Sequence, residues 1–227
     1  MTSSDAKQII ETARQAGRNT LSEYEAKQVL AAWDIPVTRE VLVENRAALV
    51  GALNAIGYPL VMKGCAAEIA HKTEKNLVRV DVRSDIEAHT AFDEIMAGLD
   101  GKGGVLVQEM IGGRRELVMG LTRDPQFGAC VMFGLGGIFT EILKDIAFRK
   151  APLERRDALE MMQDIKGRKI LEAVRGMPAA DTGLLADMLI AVGRLSLEID
   201  AIAEIDLNPV ILAGARPVAV DALIVLK

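Results

Sequence analysis

Apolar positions recur at helical spacing over residues 4–17 and 23–33, where Ala26, Val29, Leu30 and Trp33 line one stripe, so both segments read as amphipathic helices. Ser22 followed by Glu25 has the spacing of a capping box at the start of the second helix, and Pro36 stops it. The pattern then switches repeatedly between the two periods. Residues 37–43 read as a strand, 45–56 as a helix, 58–64 as a buried strand, 77–82 as an alternating strand, 84–98 as a helix and 105–110 as a strand. Beyond 115 the helix signals thin out, and short β runs follow at 116–122, 129–133, 138–143 and 146–150. Asp124-Pro125-Gln126-Phe127-Gly128 is a tight connection between the first two of these. Helical spacing returns at 154–164, 168–174 and 182–197, with Pro178 separating the last two, and the chain closes on strands at 202–207, 210–212 and 217–222.

This order predicts an α+β fold of two subdomains, 1–110 and 111–227, enclosing a cleft. The seam falls at 109–113, where a βα pattern gives way to an antiparallel meander, and residues 1–20 are able to pack on the second subdomain. The chain has no internal repeat, low-complexity tract or long linker.

Composition narrows the function classes. With 227 residues, half of them hydrophobic, the chain can bury a substantial core, yet no apolar run approaches the about 18–20 residues of a membrane helix. The first residues show no basic segment leading into an apolar one, so no signal peptide is expected. Cys65 and Cys130 have no metal-site spacing and fit a reducing, cytoplasmic setting. A net charge of −5 and 4 % aromatic residues argue against nucleic acid as the main partner.

Several segments carry candidate chemistry, each beside a plainer reading. Gly134-Leu135-Gly136-Gly137 lies between apolar runs; its glycines allow a sharp turn presenting bare N–H groups to an anion, or an ordinary hairpin. Lys63 ends an apolar strand, as a point charge for nucleotide phosphates or as the first solvated residue. Gln108-Glu109-Met110-Ile111 ends another, where backbone groups and a carboxylate can read an adenine edge and ribose, or where the strand simply stops. Period-2 geometry puts Asp206 and Asn208 on one strand face, and Asp221 adds an oxygen donor from the next strand. That set suits a hard cation such as Mg²⁺, or it is a polar hairpin edge. His71 sits in a weakly periodic stretch between two strands. It is either a surface residue or a nucleophile able to carry a phosphoryl group, on arms reaching at most about 20 Å at about 3.3–3.6 Å per residue. His89 falls within a helix pattern and reads as surface.

Taken in order, Leu21-Ser22-Glu23-Tyr24-Glu25-Ala26-Lys27, Ile35-Pro36-Val37, Gly57-Tyr58-Pro59-Leu60-Val61-Met62-Lys63, His71-Lys72-Thr73, Asp124-Pro125-Gln126-Phe127-Gly128, the segments 133–141 and 144–149, and Asp206-Leu207-Asn208-Pro209 form a joint pattern. It resembles the ATP-grasp β subunit of ADP-forming acyl-CoA synthetases, which include acetate–CoA ligases and are related to succinyl-CoA synthetase. The resemblance runs from about 21 to 222 and implies an ATP-grasp fold. It also implies the exchange of acyl-CoA, phosphate and ADP for acid, CoA and ATP, with a CoA- and acyl-binding α subunit as partner in a hetero-oligomer. By that resemblance His71 is phosphorylated and relays the group toward ADP, and Lys63 holds phosphates. Gln108, Glu109, Met110 and Glu116 border the nucleotide, while Asn208, Asp221 and Asp206 hold Mg²⁺. Lys144 and Arg149 are further basic candidates. Many members carry glycines soon after the histidine motif, where this chain has Lys75-Asn76-Leu77-Val78, so its loop hinge is expected to differ. A directly activating ATP-grasp carboxylate ligase and a noncatalytic nucleotide-sensing module remain as alternatives.

Overall fold

The computed structural model describes residues 2–67, 77–137 and 145–227. The chain divides into two compact units, one of Met1–Leu21, Glu25–Val37 and Ile111–Lys227, the other of Ser22–Tyr24 and Thr38–Met110. The seam thus falls between 110 and 111, but the N-terminal helices belong with the second half of the chain rather than with the first.

In the smaller unit, β1 (Glu40–Val43), β2 (Leu60–Cys65), β3 (Val78–Val82) and β4 (Gly104–Glu109) form an antiparallel sheet in the order β1-β4-β2-β3. Two helices cover one of its faces: α3 (Arg46–Ile56), begun by Asn45 accepting from the Ala48 N–H, and α4 (Asp85–Gly98), begun by Ser84 accepting from the Glu87 N–H. Leu49, Leu53, Phe92 and Ile95 from the helices pack on Leu60, Met62, Val105 and Val107 from the strands. By strand alternation, Val61, Lys63, Leu106 and Gln108 point to the other face. His89, expected on the surface, is half-buried in α4, and its Nδ1 is buried with no hydrogen-bond partner.

The larger unit holds α1 (Ser3–Gln15), closed at its start by a Thr2–Asp5 capping box, and α2 (Glu23–Ala31), whose first two residues fall in the smaller unit. Glu25 accepts both guanidinium nitrogens of Arg18 at 2.8 Å. The six-stranded antiparallel sheet contains β5 (Glu116–Asp124), β6 (Gly128–Leu135), β7 (Ile146–Lys150), β8 (Ile202–Ala213), β9 (Arg216–Ala219) and β10 (Leu223–Leu226). Its order is β10-β8-β5-β6-β7, with β9 also paired to β8. Helices α5 (Arg155–Asp164) and α6 (Thr182–Glu198) cover one face. Leu185, Met188, Leu189 and Val192 of α6 share a core with Leu117, Met119, Val131 and Phe133 of the sheet. Among the described residues no helix is long and apolar enough to cross a membrane.

Three expectations change. The runs 202–207 and 210–212 are one strand, because β8 carries one extra residue opposite β5: Leu207 faces Met119 while Val210 faces Leu117. This bulge lets the inward apolar pattern resume at Val210 and accommodates Asn208 and Pro209 without ending the strand. The helix expected over 168–174 is a single 3₁₀ turn, Arg168–Leu171. The carbonyls of Ile170 and Glu172, which a longer helix would give to its own amides, instead accept from the Arg115 guanidinium. The strand expected over 217–222 stops at Ala219, and a further strand, β10, begins at Leu223. The strand expected at 138–143 lies outside the described residues.

Candidate functional site

Lys63 lies inside β2 rather than at its solvated end: it is 6 % exposed, and its Nζ donates to Glu23 Oε1 at 2.7 Å. The Glu23 side chain is itself fully buried. A lysine withdrawn from water needs such a partner, because desolvation penalises the unpaired charge heavily. Gln108, completely buried, shares the face of Lys63, since Val61 stands opposite Gln108 in the register of β2 and β4. Glu109, the next residue, alternates to the opposite face. Its Oε1 accepts the Arg39 N–H at 2.8 Å and its Oε2 accepts Arg39 Nε at 2.9 Å. The structure therefore brings Lys63 and Gln108 together and places the Glu109 carboxylate against Arg39 on the opposite face. Met110 and Ile111 are half-buried and follow directly where β4 ends.

In the larger unit the glycine run meets the start of β5. Gly134 belongs to β6, paired with Val118 on one side and Ile146 on the other. The Gly136 N–H donates to the Glu116 carbonyl at 2.8 Å, and a β-carbon at Gly136 would lie 2.8 Å from Leu117 N. The expectation that this loop presents bare amides is thus corrected at Gly136, whose smallness serves close packing instead. Gly137 alone of the three has positive φ, 62°, and a β-carbon there would lie 2.6 Å from Glu116 Oε2. Glu116, Gly136 and Gly137 consequently form one cluster.

Asp206, Asn208 and Asp221 form a second. Along β8, Ile205 and Leu207 are buried in the core, so Glu204, Asp206 and Asn208 point to the face away from the helices. Asp206 stands between Gly120 of β5 and Leu223 of β10. Asp221 lies in the short link between β9 and β10, next to Val220, whose N–H donates to the Pro209 carbonyl at 3.0 Å. Its Oδ1 accepts the Ala222 N–H at 2.8 Å. Burial first, then the negative charges of Glu204 and Asp221, push the Asp206 carboxyl up to about 6. Glu204 was missed in the sequence, although the same period-2 rule that pairs Asp206 with Asn208 also reaches it. Glu23 and Arg39 carried no local signal, since their roles arise from partners 40 and 70 residues away.

His71 and Lys144 lie outside the described residues. Arg149 is ion-paired with Asp164 on the surface.

The ATP-grasp domain family model matches residues 12–226. The chain is 42 % identical over 227 residues to acetate–CoA ligase [ADP-forming] I subunit beta of Pyrococcus furiosus, covering 97 % of each. It belongs to the ATP-grasp family of ADP-forming acyl-CoA ligase β subunits. This settles the ligase class and bears out the α+β, ATP-grasp expectation. Among solved structures, the dinucleotide-forming acetyl-coenzyme A synthetase 1 of Ca. Korarchaeum cryptofilum superposes with a TM-score of 0.93 at 39 % identity, over 98 % of this chain and 100 % of that one. That structure is in complex with coenzyme A, Ca-AMPCP and HgCl+. A second structure of the same protein, with a TM-score of 0.87 at 40 % identity and the same coverage, contains coenzyme A and Mg-AMPPCP, with its phosphohistidine segment pointing towards the nucleotide binding site.

Proposed function

We propose that this β subunit binds ADP or ATP with Mg²⁺ and relays a phosphoryl group between that nucleotide and a CoA- and acyl-binding α subunit, with His71 as the carrier. The net reaction is acyl-CoA + ADP + phosphate = acid + CoA + ATP, in a cytoplasmic hetero-oligomer. The observation that carries this reading is the Glu204–Asp206–Asp221 group, in which burial first, then neighbouring negative charge, pushes the Asp206 carboxyl up to about 6 on the sheet face away from the helices. Such a group favours a divalent cation. Two carboxylates and an amide, all hard oxygen donors, fit Mg²⁺. Among the described residues no set of three His, Cys, Asp or Glu is placed to hold a metal, so the assignment rests on the mixed set of two carboxylates and one amide. Asp206, Asn208 and Asp221 would hold the ion, which supplies charge neutralisation at the transferring phosphate.

The chain's own residues do the rest. Lys63, oriented by Glu23, places a fixed ammonium on the helix-distal face of β2, and Gln108 beside it offers a buried amide for hydrogen bonding. Met110 and Ile111 provide backbone groups and apolar surface for the base. Glu116, Gly134, Gly136 and Gly137 border the phosphates, with Gly137 keeping the approach clear of a side chain. His71 accepts the phosphoryl group on a ring nitrogen and passes it on, so that two separated half-reactions share one phosphate without losing it to water. The likeness to a structure whose phosphohistidine segment points towards its nucleotide site supports this assignment.

The test is chemical. With the α subunit, Mg²⁺ and ATP labelled at the γ-phosphate, the wild-type chain acquires acid-labile, base-stable label, and the His71→Ala chain acquires none. Equal labelling of the two chains overturns the relay.

A further inference from the structure

Charge is seldom buried in the larger unit. Among its described residues only Lys27, Arg115 and Asp145 are both charged and buried. Asp145 and Arg115 end on backbone groups, and both hold the same stretch, residues 166–178. The Asp145 carboxylate, on a residue 6 % exposed, accepts the N–H groups of Lys166 and Gly167, each at 2.7 Å. The Arg115 guanidinium, on a residue 4 % exposed, donates to the carbonyls of Ile170 at 3.1 Å, Glu172 at 3.2 Å and Pro178 at 2.8 Å. It also donates to the Gly214 carbonyl, between β8 and β9, at 2.7 Å.

The same two residues stand on either side of the glycine run. The Asp145 carbonyl accepts the Leu135 N–H at 3.3 Å, the Glu116 carbonyl accepts the Gly136 N–H at 2.8 Å, and Arg115 precedes Glu116 in the chain. These links close a circuit. It runs from Glu116 to Gly136, back one residue to Leu135, across to Asp145 and through its carboxylate to residues 166–167. From there it follows the chain to Ile170 and returns through Arg115 to Glu116. Two glycines let the circuit close tightly. A β-carbon at Gly134 would lie 2.6 Å from the Asp145 carbonyl oxygen, and one at Gly167 would lie 2.6 Å from Leu135 Cδ1.

Stability alone is a weak reason for such a circuit. Withdrawing a charge from water carries a large desolvation cost, and apolar replacements of buried ionic groups often fold at least as well. What buried charges add is defined geometry, because charge-assisted hydrogen bonds are strong and directional.

We propose that Asp145 and Arg115 are positioning residues for the nucleotide phosphates, holding Glu116, Gly136 and Gly137 at a fixed spacing through the 166–178 stretch. This rests on the β-subunit reading above, which sets those three residues at the phosphates. A frame ordered before binding spares the nucleotide the cost of ordering it. Removing either residue opens the same circuit, so their effects on nucleotide affinity do not add.

The test measures ADP binding with Mg²⁺ by calorimetry on the full chain, adenosine binding by competition, and thermal unfolding. Asp145→Ala and Arg115→Met each weaken ADP about tenfold, and the double variant weakens it no further. Adenosine, which has no phosphate, binds all chains equally. Asp145→Asn and Arg115→Lys keep part of the hydrogen bonding and weaken ADP about threefold, so they carry the test if the harsher variants fail to fold. Val192→Ala, a core truncation in α6, lowers Tm and leaves ADP affinity unchanged. With the α subunit added, KM for ADP rises in the Asp145 and Arg115 variants while KM for acyl-CoA holds. Wild-type ADP affinity in the folded variants overturns the frame. So does a loss shared by adenosine or by Val192→Ala, or an additive loss in the double variant. A wild-type chain that takes up no ADP with Mg²⁺ overturns the β-subunit reading itself, and the frame's role with it.

Discussion

The two sheets treat charge in opposite ways. In the smaller unit the candidate residues arrive already matched: Lys63 lies against Glu23, and Glu109 against Arg39. In the larger unit, burial first, then the negative charges of Glu204 and Asp221, push Asp206 up to about 6. A matched buried pair fixes a side chain in place but gives it little net field. A like-charged group is costly until an opposite charge arrives. The difference teaches that one sheet is prepared for orientation and the other for a cation. A charge balance thus separates the candidate residues of the two sheets.

The largest effect tests the matched side. Lys63→Met leaves Glu23 buried without its counter-ion and is expected to destabilise the chain by about 3–5 kcal/mol in urea unfolding. Adding Glu23→Gln to it is expected to recover most of that loss. If the single and double variants are equally unstable, the pair is not what holds Lys63. The unmatched side should respond with the other sign. Because the folded carboxyl of Asp206 has its pKa raised from 3.8 to about 6, the folded state binds the extra proton between those values. Stability therefore falls as pH rises through about 4 to 6, and the penalty is fully present above it. Asp206→Asn is expected to stabilise the metal-free chain at pH 7 by up to about 2–3 kcal/mol and to flatten that pH slope, while weakening the rise in Tm produced by Mg²⁺ with ADP. A variant that melts lower than wild type at pH 7 would contradict the like-charge account. The smallest effect sharpens the contrast within the matched side. The Arg39 side chain is 66 % exposed, so Arg39→Ala is expected to cost no more than about 0.5–1 kcal/mol by thermal unfolding, far less than the loss at Lys63.

Much of this architecture could be read from spacing. The helix starts at Asn45, Ser84 and Asp181 are local events, each a side-chain oxygen meeting an amide three residues on. The seam near residue 110 followed from a change in periodicity. The pairing of Asp206 with Asn208 followed from strand alternation, and Glu204 was within reach of the same rule. Local rules failed where a distant group intervened. The helix expected over 168–174 gave way to a single 3₁₀ turn once Arg115 took its carbonyls. The glycine run, legible as a turn, proved to owe Gly136 to the backbone of β5.

The sequence by itself determined the periodic elements, the order of the motifs and the residue types able to meet phosphate and Mg²⁺, because those depend on neighbours along the chain. Only the tertiary structure decided which charges are neutralised and which are left in excess. It buried Lys63 on Glu23, turned Glu109 away toward Arg39, and partly buried Asp206 within reach of the Glu204 and Asp221 charges, which raises its pKa. Coulomb energy and desolvation depend on distance through space and on burial, and neither quantity is written in the spacing of residues along a strand.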